Sequence, residues 1–204
     1  MESEKKVRNK QKTQQKLLDA LGKIIRRDGF RGLGINQIAR EARVDKVLIY
    51  RYFGNLEGLL QAYAEQQQWL IPETETSPTL DDKDWAINSQ IDLFREVQVN
   101  EHLQEVMRWS LIENNKLTET LHQERDSLIQ AVISRVQANE QAPHLDTEAM
   151  AALINGGINF LALQSGKNPH YANINLQSEE GRQRIEQAIT QLFEMLYEKA
   201  RQES

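Results

Sequence analysis

A chain of 204 residues with 39% hydrophobic residues and no cysteine can bury the cores of one or two packed domains without disulfides. Its first residues, MESEKKVRNKQK, are charged throughout, and no apolar run approaches the ~20 residues of a membrane helix, so a cytoplasmic protein with neither a secretory segment nor a membrane span is expected. The net charge of −5 argues against nucleic acid as a sum, but Met1 to Phe53 holds 14 Lys and Arg against 6 Asp and Glu, a net +8, which leaves 11 against 24, a net −13, for the rest.

Residues 1 to 12 read as a polar, Lys-rich arm without apolar periodicity, mobile, and either tracking phosphates or a minor groove or without a role. From Thr13 to Asp28 the residues Leu17, Leu18, Leu21, Ile24 and Ile25 make one helical stripe, and Gly29 follows where a left-handed cap belongs. Phe30 and Leu33 lead as core residues into a short helix with Ile35, Ile38, Ala39 and Ala42 on one side and Gln37, Arg40 and Glu41 outside. A helix of that length cannot stand alone. Val44 points inward at a turn, and Asp45 is placed to cap a second short helix ending at Phe53. Ile49 and Phe53 face inward there; Lys46, Val47, Leu48, Tyr50, Arg51 and Tyr52 remain outside as a basic, aromatic and partly apolar surface. Such a surface suits DNA, whose phosphates accept from Lys, Arg and Tyr and whose thymine methyls take apolar contact.

The order Ile38-Ala39, Ala42, Val44, Tyr50-Arg51-Tyr52-Phe53 and Leu59, preceded by Gly29-Phe30, resembles the helix-turn-helix of TetR-family transcriptional regulators. About the first 60 residues carry the resemblance; the remainder agrees only in length and all-helical architecture. The resemblance implies a homodimer, a repressor rather than an activator, that binds an operator and releases it when a small molecule enters the C-terminal domain. Lys46, Val47 and Leu48 would enter the major groove, Lys46 toward a guanine edge or a phosphate and the two aliphatics toward thymine methyls, while Tyr50, Arg51 and Tyr52 hold the backbone. Asn36 and Gln37 complete the expected DNA-contact set. Several residues depart from the family pattern. Gly34 stands where Thr or Ser is usual, and Leu56 where a Lys commonly reaches a phosphate. Val47 and Leu48 replace a small or hydroxylated pair. Arg43 replaces a Gly at a turn where φ is often positive, at a cost of roughly 1 kcal/mol. The scaffold is kept and the contact set altered, which implies a changed operator preference; the alternative is a TetR-like dimer that has lost DNA reading and serves as a ligand-binding or partner-binding module.

Asn55 is placed to cap a helix from Leu56 to Leu70 that carries Leu59, Leu60 and Tyr63. The resemblance makes this the connector that transmits ligand state. The division expected is a helix-turn-helix domain at 1–53, a connector at 54–72 and a helical ligand-binding and dimerisation domain at 73–204. A loop over Ile71–Thr79 precedes helices at Asp82–Val97, Asn100–Asn114 and Leu117–Ala138. After QAPHLD, Asp146 or Thr147 caps a helix to Gln164 with almost no polar face, interrupted by Asn155 and Asn159. Burial on most sides is expected for it, with the domain core on one side and a second subunit on the other, Gly156 and Gly157 allowing close approach. The loop SGKNPHYANINLQ leads to a helix opened by Ser178, with Ile185, Ala188, Ile189, Leu192, Phe193 and Leu196. Two such helices from each subunit would make a four-helix bundle at the dimer seam. No stretch alternates as a strand does, so the fold class is all-α.

Little points to catalysis. His102, His122, His144 and His170 lack metal-ligand spacing and read as surface or loop residues, and no thiol, phosphate loop or nucleophile elbow is present. Asp81, Asp82 and Asp84 favour a helix dipole more than acid–base work. No metal or cofactor is expected, and a helical enzyme would need convergent titratable groups in a pocket. An effector cavity among the central helices would draw on Phe94, Met107, Trp109, Ile112, Asn155 and Asn159, and the acidic balance favours a cationic or neutral effector.

Overall fold

A computed structural model describes residues 2–67, 69, 81–138 and 146–202. In chain order the helices are α1 (Glu2–Asp28), α2 (Ile35–Ala42), α3 (Val47–Phe53), α4 (Leu56–Ala64), α5 (Asp82–Val99), α6 (Glu101–Ser110), α7 (Lys116–Ala138), α8 (Thr147–Ser165) and α9 (Glu179–Gln202), with a small hairpin of β1 (His170–Tyr171) and β2 (Ile174–Asn175) before the last. The fold is all-α apart from that hairpin. Two compact units are formed, Met1–Trp69 with Glu101–Gln123, and Leu70–Asn100 with Glu124–Ser204. The first unit therefore takes in a segment that chain order had assigned to the C-terminal domain. The expected loop at Ile71–Thr79, Leu70 and His144 lie outside the described residues.

In the first unit, α1 packs on α2, α4 and α6. Its buried stripe is the predicted one, Leu17, Leu18, Leu21, Ile24 and Ile25, and Gly29 closes it at φ +65°, donating to the Ile25 carbonyl at 3.0 Å. The helix begins at Glu2 rather than Thr13, so the expected mobile arm is helical. Glu, Lys, Arg and Gln lose little rotamer freedom in a helix and no glycine or proline interrupts them, so propensity carries α1 beyond its core. Asn55 caps α4 as expected, accepting from the Gly58 N–H at 2.8 Å. That helix ends at Ala64, where the Gln66 and Gln67 N–H groups turn back to the Tyr63 and Ala64 carbonyls at 3.1 and 2.9 Å. Its start lies tight behind α3: a Cβ at Gly58 would stand 3.1 Å from the Phe53 carbonyl carbon and closer still to the oxygen. The α6 ring of Trp109 stacks on Phe30, centroids 3.5 Å apart. His102 is buried, not on the surface; its Nε2 hydrogen-bonds the Tyr63 hydroxyl of α4 and its ring tilts against Trp69.

In the second unit, α5 packs on α8 and α9. Asp81 caps α5 through the Asp84 N–H at 2.8 Å, and Asp146 caps α8 through the Ala149 N–H at 2.9 Å. The side chain of Asn155 donates to Gln90 at 3.2 Å and accepts from Asn159 at 2.7 Å. Arg135 lies over the Trp85 ring, 3.6 Å from its centroid, with Asp82 at 3.8 Å. Within one chain α8 buries a single face, that of Asn155, Ile158, Ala162 and Ser165; Leu153 is 77% exposed, and nothing lies within 4 Å of a Cβ placed on Gly156 or Gly157. The hairpin escapes a sequence reading because its turn is Ala172-Asn173, both at positive φ (48° and 62°), without the glycine that marks most such turns. No helix among the described residues is long and apolar enough to cross a membrane.

Candidate nucleic-acid interface

The short helices α2 and α3 are held as a pair by a tight turn. Arg43 ends α2 in the left-handed region, φ 55° and ψ 47°, and the Val44 N–H reaches back to the Ala39 carbonyl at 3.0 Å, the bond of a Schellman closure. The residue usual at such a position is glycine, and Arg43 bears the steric cost that its Cβ imposes. Asp45 then caps as predicted, its Oδ1 accepting from the Val47 N–H at 2.9 Å, and α3 starts at Val47. Gly54 ends it with its N–H on the Tyr50 carbonyl at 3.0 Å.

Ile49 is the buried residue of α3, and Phe53 is half-buried. Around them Lys46, Val47, Tyr50 and Arg51 are exposed, Val47 by 53% and Tyr50 by 54%. Leu48 and Tyr52 are half-buried, and the Lys10 ammonium lies over the Tyr52 ring, 5.8 Å from its centroid. On α2, Asn36 is exposed, whereas Gln37 is tied to the end of α1, donating to Asp28 at 3.2 Å. Arg27 grips the same carboxylate at 2.9 Å and Glu41 at 3.0 Å, which holds the Asp28 carboxyl below its ordinary pKa. One small helix thus presents a cation pair, a phenol and an aliphatic side chain to solvent together.

Gly34 leaves the N-terminus of α2 without a side-chain cap. Its backbone is extended, φ −165° and ψ 162°, and an added Cβ would meet only the Gly32 carbonyl oxygen, at 3.8 Å. A side chain fits there. Gly34→Thr is expected to raise the melting midpoint by about 2 °C, since a hydroxyl cap exceeds glycine by only a few tenths of a kcal/mol, and to tighten binding to duplex DNA severalfold by offering a phosphate donor at a helix N-terminus. A midpoint below that of the parent chain would contradict the open geometry.

The six residues expected around an effector are not brought into one unit. Met107 and Trp109 are buried in the first, where the Trp109 Nε1 donates to Glu113 at 2.8 Å. Ile112 is 86% exposed, because α6 ends at Ser110 and the chain turns there; it lines no enclosed space. Phe94, Asn155 and Asn159 belong to the second unit, Phe94 and Asn155 buried and Asn159 half-buried. A cleft of about 600 Å³ in that unit is lined instead by Arg95, Gln98, Leu176, Gln177, Arg182 and Glu186 among others. The Arg95 guanidinium there makes a two-pronged contact with Glu186 at 2.7 and 2.8 Å, a pairing across 91 residues that no local pattern announces. Of the histidines, His122 is half-buried and His170 exposed. Among the described residues no group of three or more His, Cys, Asp or Glu could hold a metal ion.

Residues 17–63 match the family model of bacterial regulatory proteins, tetR family. In fold the chain is similar to the fatty acid degradation regulator FadR from Bacillus halodurans, at 17% identity and a TM-score of 0.64 over 89% of this chain and 94% of that one. It is similar also to FadR from Bacillus subtilis, solved in complex with stearoyl-CoA, at 18% identity and 0.65 over 88% and 96%. A TetR-like transcriptional regulator from Rhodococcus sp. RHA1 gives 18% and 0.61 over 91% and 93%. At such identities the likeness is one of fold. No curated protein matches the sequence.

Proposed function

We propose that this chain, which carries the TetR-family helix-turn-helix module within residues 17–63 and the fold of TetR regulators over most of its length, is a DNA-binding transcriptional regulator: a homodimeric repressor that holds a palindromic operator and releases it when a small molecule binds. The observation that carries this reading is the α3 surface, with Ile49 buried while Lys46, Val47, Tyr50 and Arg51 stand exposed. A helix that spends its one buried residue on anchoring and shows this set to solvent has the donors for phosphate and the aliphatic contacts for thymine methyls. Asn36 at the start of α2 is open to the same partner, while Gln37 acts through its tie to α1.

A second copy of the chain is the partner proposed for α8 and α9. Leu153, Phe160, Leu192 and Met195 are exposed large hydrophobics there, and Gly156 and Gly157 leave room for close approach. The Bacillus subtilis relative is in complex with stearoyl-CoA; for this chain, with a net −13 after Phe53, a neutral or cationic effector fits better than one with several phosphates. Phe94, Asn155 and Asn159 are the residues proposed to meet it, Asn159 with a buried amide oxygen that has no hydrogen-bond donor.

Selection of bound sequences from a random DNA pool at two salt concentrations tests the reading. A palindromic site with half-sites near one or two helical turns apart and a steep salt dependence is expected. Lys46→Ala should weaken binding, and Val47→Ala should change the base preferred at one position; identical selected profiles for both variants and the parent would remove α3 as the reading helix. The second reading, a dimer that no longer reads DNA, is favoured by the uncapped Gly34 and the left-handed Arg43. Absence of enrichment at low salt from protein shown by native mass spectrometry to be effector-free would select it.

A further inference from the structure

The side of α1 that faces the core does not end where the core ends. Lys10, Gln14, Leu17 and Leu21 follow one another at helical spacing of four, three and four residues. Leu17 and Leu21 are fully buried, Gln14 is half-buried, and Lys10 is exposed. Beneath Lys10 lies no hydrophobic core but the Tyr52 ring, with the ammonium 5.8 Å from its centroid. The first turns of α1 thus overhang the flank of α3, and what they bring there is basic: Arg8, Lys10 and Lys12 are all exposed.

We infer that the first turns of α1 form a second, sequence-independent contact with duplex DNA, in which Lys10, steered by the Tyr52 ring, takes a backbone phosphate beside the groove that α3 enters. This rests on the proposed function and adds an element to its interface. An ammonium placed over a ring is attracted by the negative face of its π system, which biases a flexible lysine stem toward one direction. The phenol of Tyr52 and that ammonium are both phosphate donors, and the ring contact brings them to one place. Arg8 and Lys12 lie four apart on the helix, a like-charge spacing that weakens an isolated helix and that a polyanion relieves. A duplex presents one phosphate charge per ~1.7 Å of its axis, so an overhang beside the reading helix meets phosphate wherever it lies along the groove.

The test is a fluorescence-anisotropy titration of the full chain and of Lys10→Ala and Lys10→Arg with a mixed-sequence duplex of about 30 base pairs, at several salt concentrations. Lys10→Ala is expected to weaken binding about 3- to 10-fold at low salt and to lower the slope of log affinity against log salt by about one, as for one lost phosphate contact. Lys10→Arg should restore both. Because Lys10 is exposed, Lys10→Ala should keep the parent's helix content and stay fully folded at the assay temperature, with a melting midpoint lowered by at most a few degrees, so a weakened affinity is not a folding defect. A Lys10→Ala variant with the parent's affinity and salt slope overturns the inference while leaving the regulator reading intact. A parent chain without salt-dependent binding to any duplex overturns both.

Discussion

Ile49→Ala is expected to unfasten α3, the proposed reading helix, at a cost of about 2–5 kcal/mol to the stability of the N-terminal unit. Helix α3 has only seven residues, far below the ~12–15 that hold a helix in water by themselves, so its order comes from tertiary contact. Ile49 is the fully buried residue of α3 in that contact, with Leu48, Tyr52 and Phe53 half-buried beside it. Its truncation leaves a cavity in the core of this unit, and the start of α3, pinned by the Val47 N–H on Asp45, has little freedom to collapse into it. DNA affinity should fall at least tenfold along with the stability, since the exposed side chains of α3 keep their chemistry and lose their placement. Ile49→Val, which removes one methylene, should cost only about 0.5–1.5 kcal/mol and retain most binding. Urea unfolding read beside DNA titration checks both; an Ile49→Ala variant within 0.5 kcal/mol of the parent would show that α3 is fastened elsewhere.

Acidification should destabilise the first unit, and His102 sets the window. The ring is buried, its Nε2 is hydrogen-bonded to the Tyr63 hydroxyl, and its Nδ1 has no hydrogen-bond partner. Burial, with Arg26 adding repulsion, pulls its pKa down to about 4, while burial pushes the Tyr63 phenol up to about 12. Neither group is charged in the folded protein at neutral pH. In the unfolded chain the histidine takes up a proton below about 6.5; folded, it does so only near 4. Between those values the unfolded state binds more protons, so stability falls with falling pH, by at most about 1.4 kcal/mol per pH unit and about 3 kcal/mol in all from this one group. His102→Gln, which keeps a hydrogen-bonding group without the charge, should flatten that dependence. Urea midpoints at pH 7 and pH 4.5 for parent and variant decide it; equal losses in the two would assign the acid sensitivity to other groups.

Local chemistry was legible where one turn or one stripe decides the outcome. The span of α2, the caps by Asp45, Asn55 and Asp146, the left-handed closure at Gly29 and the inward Ile49 all follow from side chains within a few residues of where they act, whereas the left-handed Arg43 was expected from the family resemblance alone. What distance in sequence hides was not legible. Nothing near residue 102 says that its imidazole will meet Tyr63 across 39 residues, and nothing near Glu101–Gln123 says that this segment joins the N-terminal helices. Nothing in the sequence around Gly58 announces that the Phe53 carbonyl lies against it. The residues proposed for an effector are the least legible, because apolar periodicity marks burial without separating core from cavity. Phe94 and Ile112 are apolar residues of the helices expected at Asp82–Val97 and Asn100–Asn114, and one is fully buried while the other is 86% exposed.

The amide chain of Gln90, Asn155 and Asn159 bears on how α5 and α8 can move. Its net contribution to stability is about 1 kcal/mol, because water would serve these amides almost as well. Its contribution against small displacement is larger: sliding one helix along the other by half a turn parts Gln90 from Asn155, whereas a full turn, ~5.4 Å, in one direction brings Asn159, four residues further along α8, to Gln90. Such a ladder of amides acts as a ratchet, with settings one turn apart and a barrier between them. Gradual slippage is costly for these two helices; a displacement along their axes comes as a step of one turn, and a smaller one as a pivot about the amides.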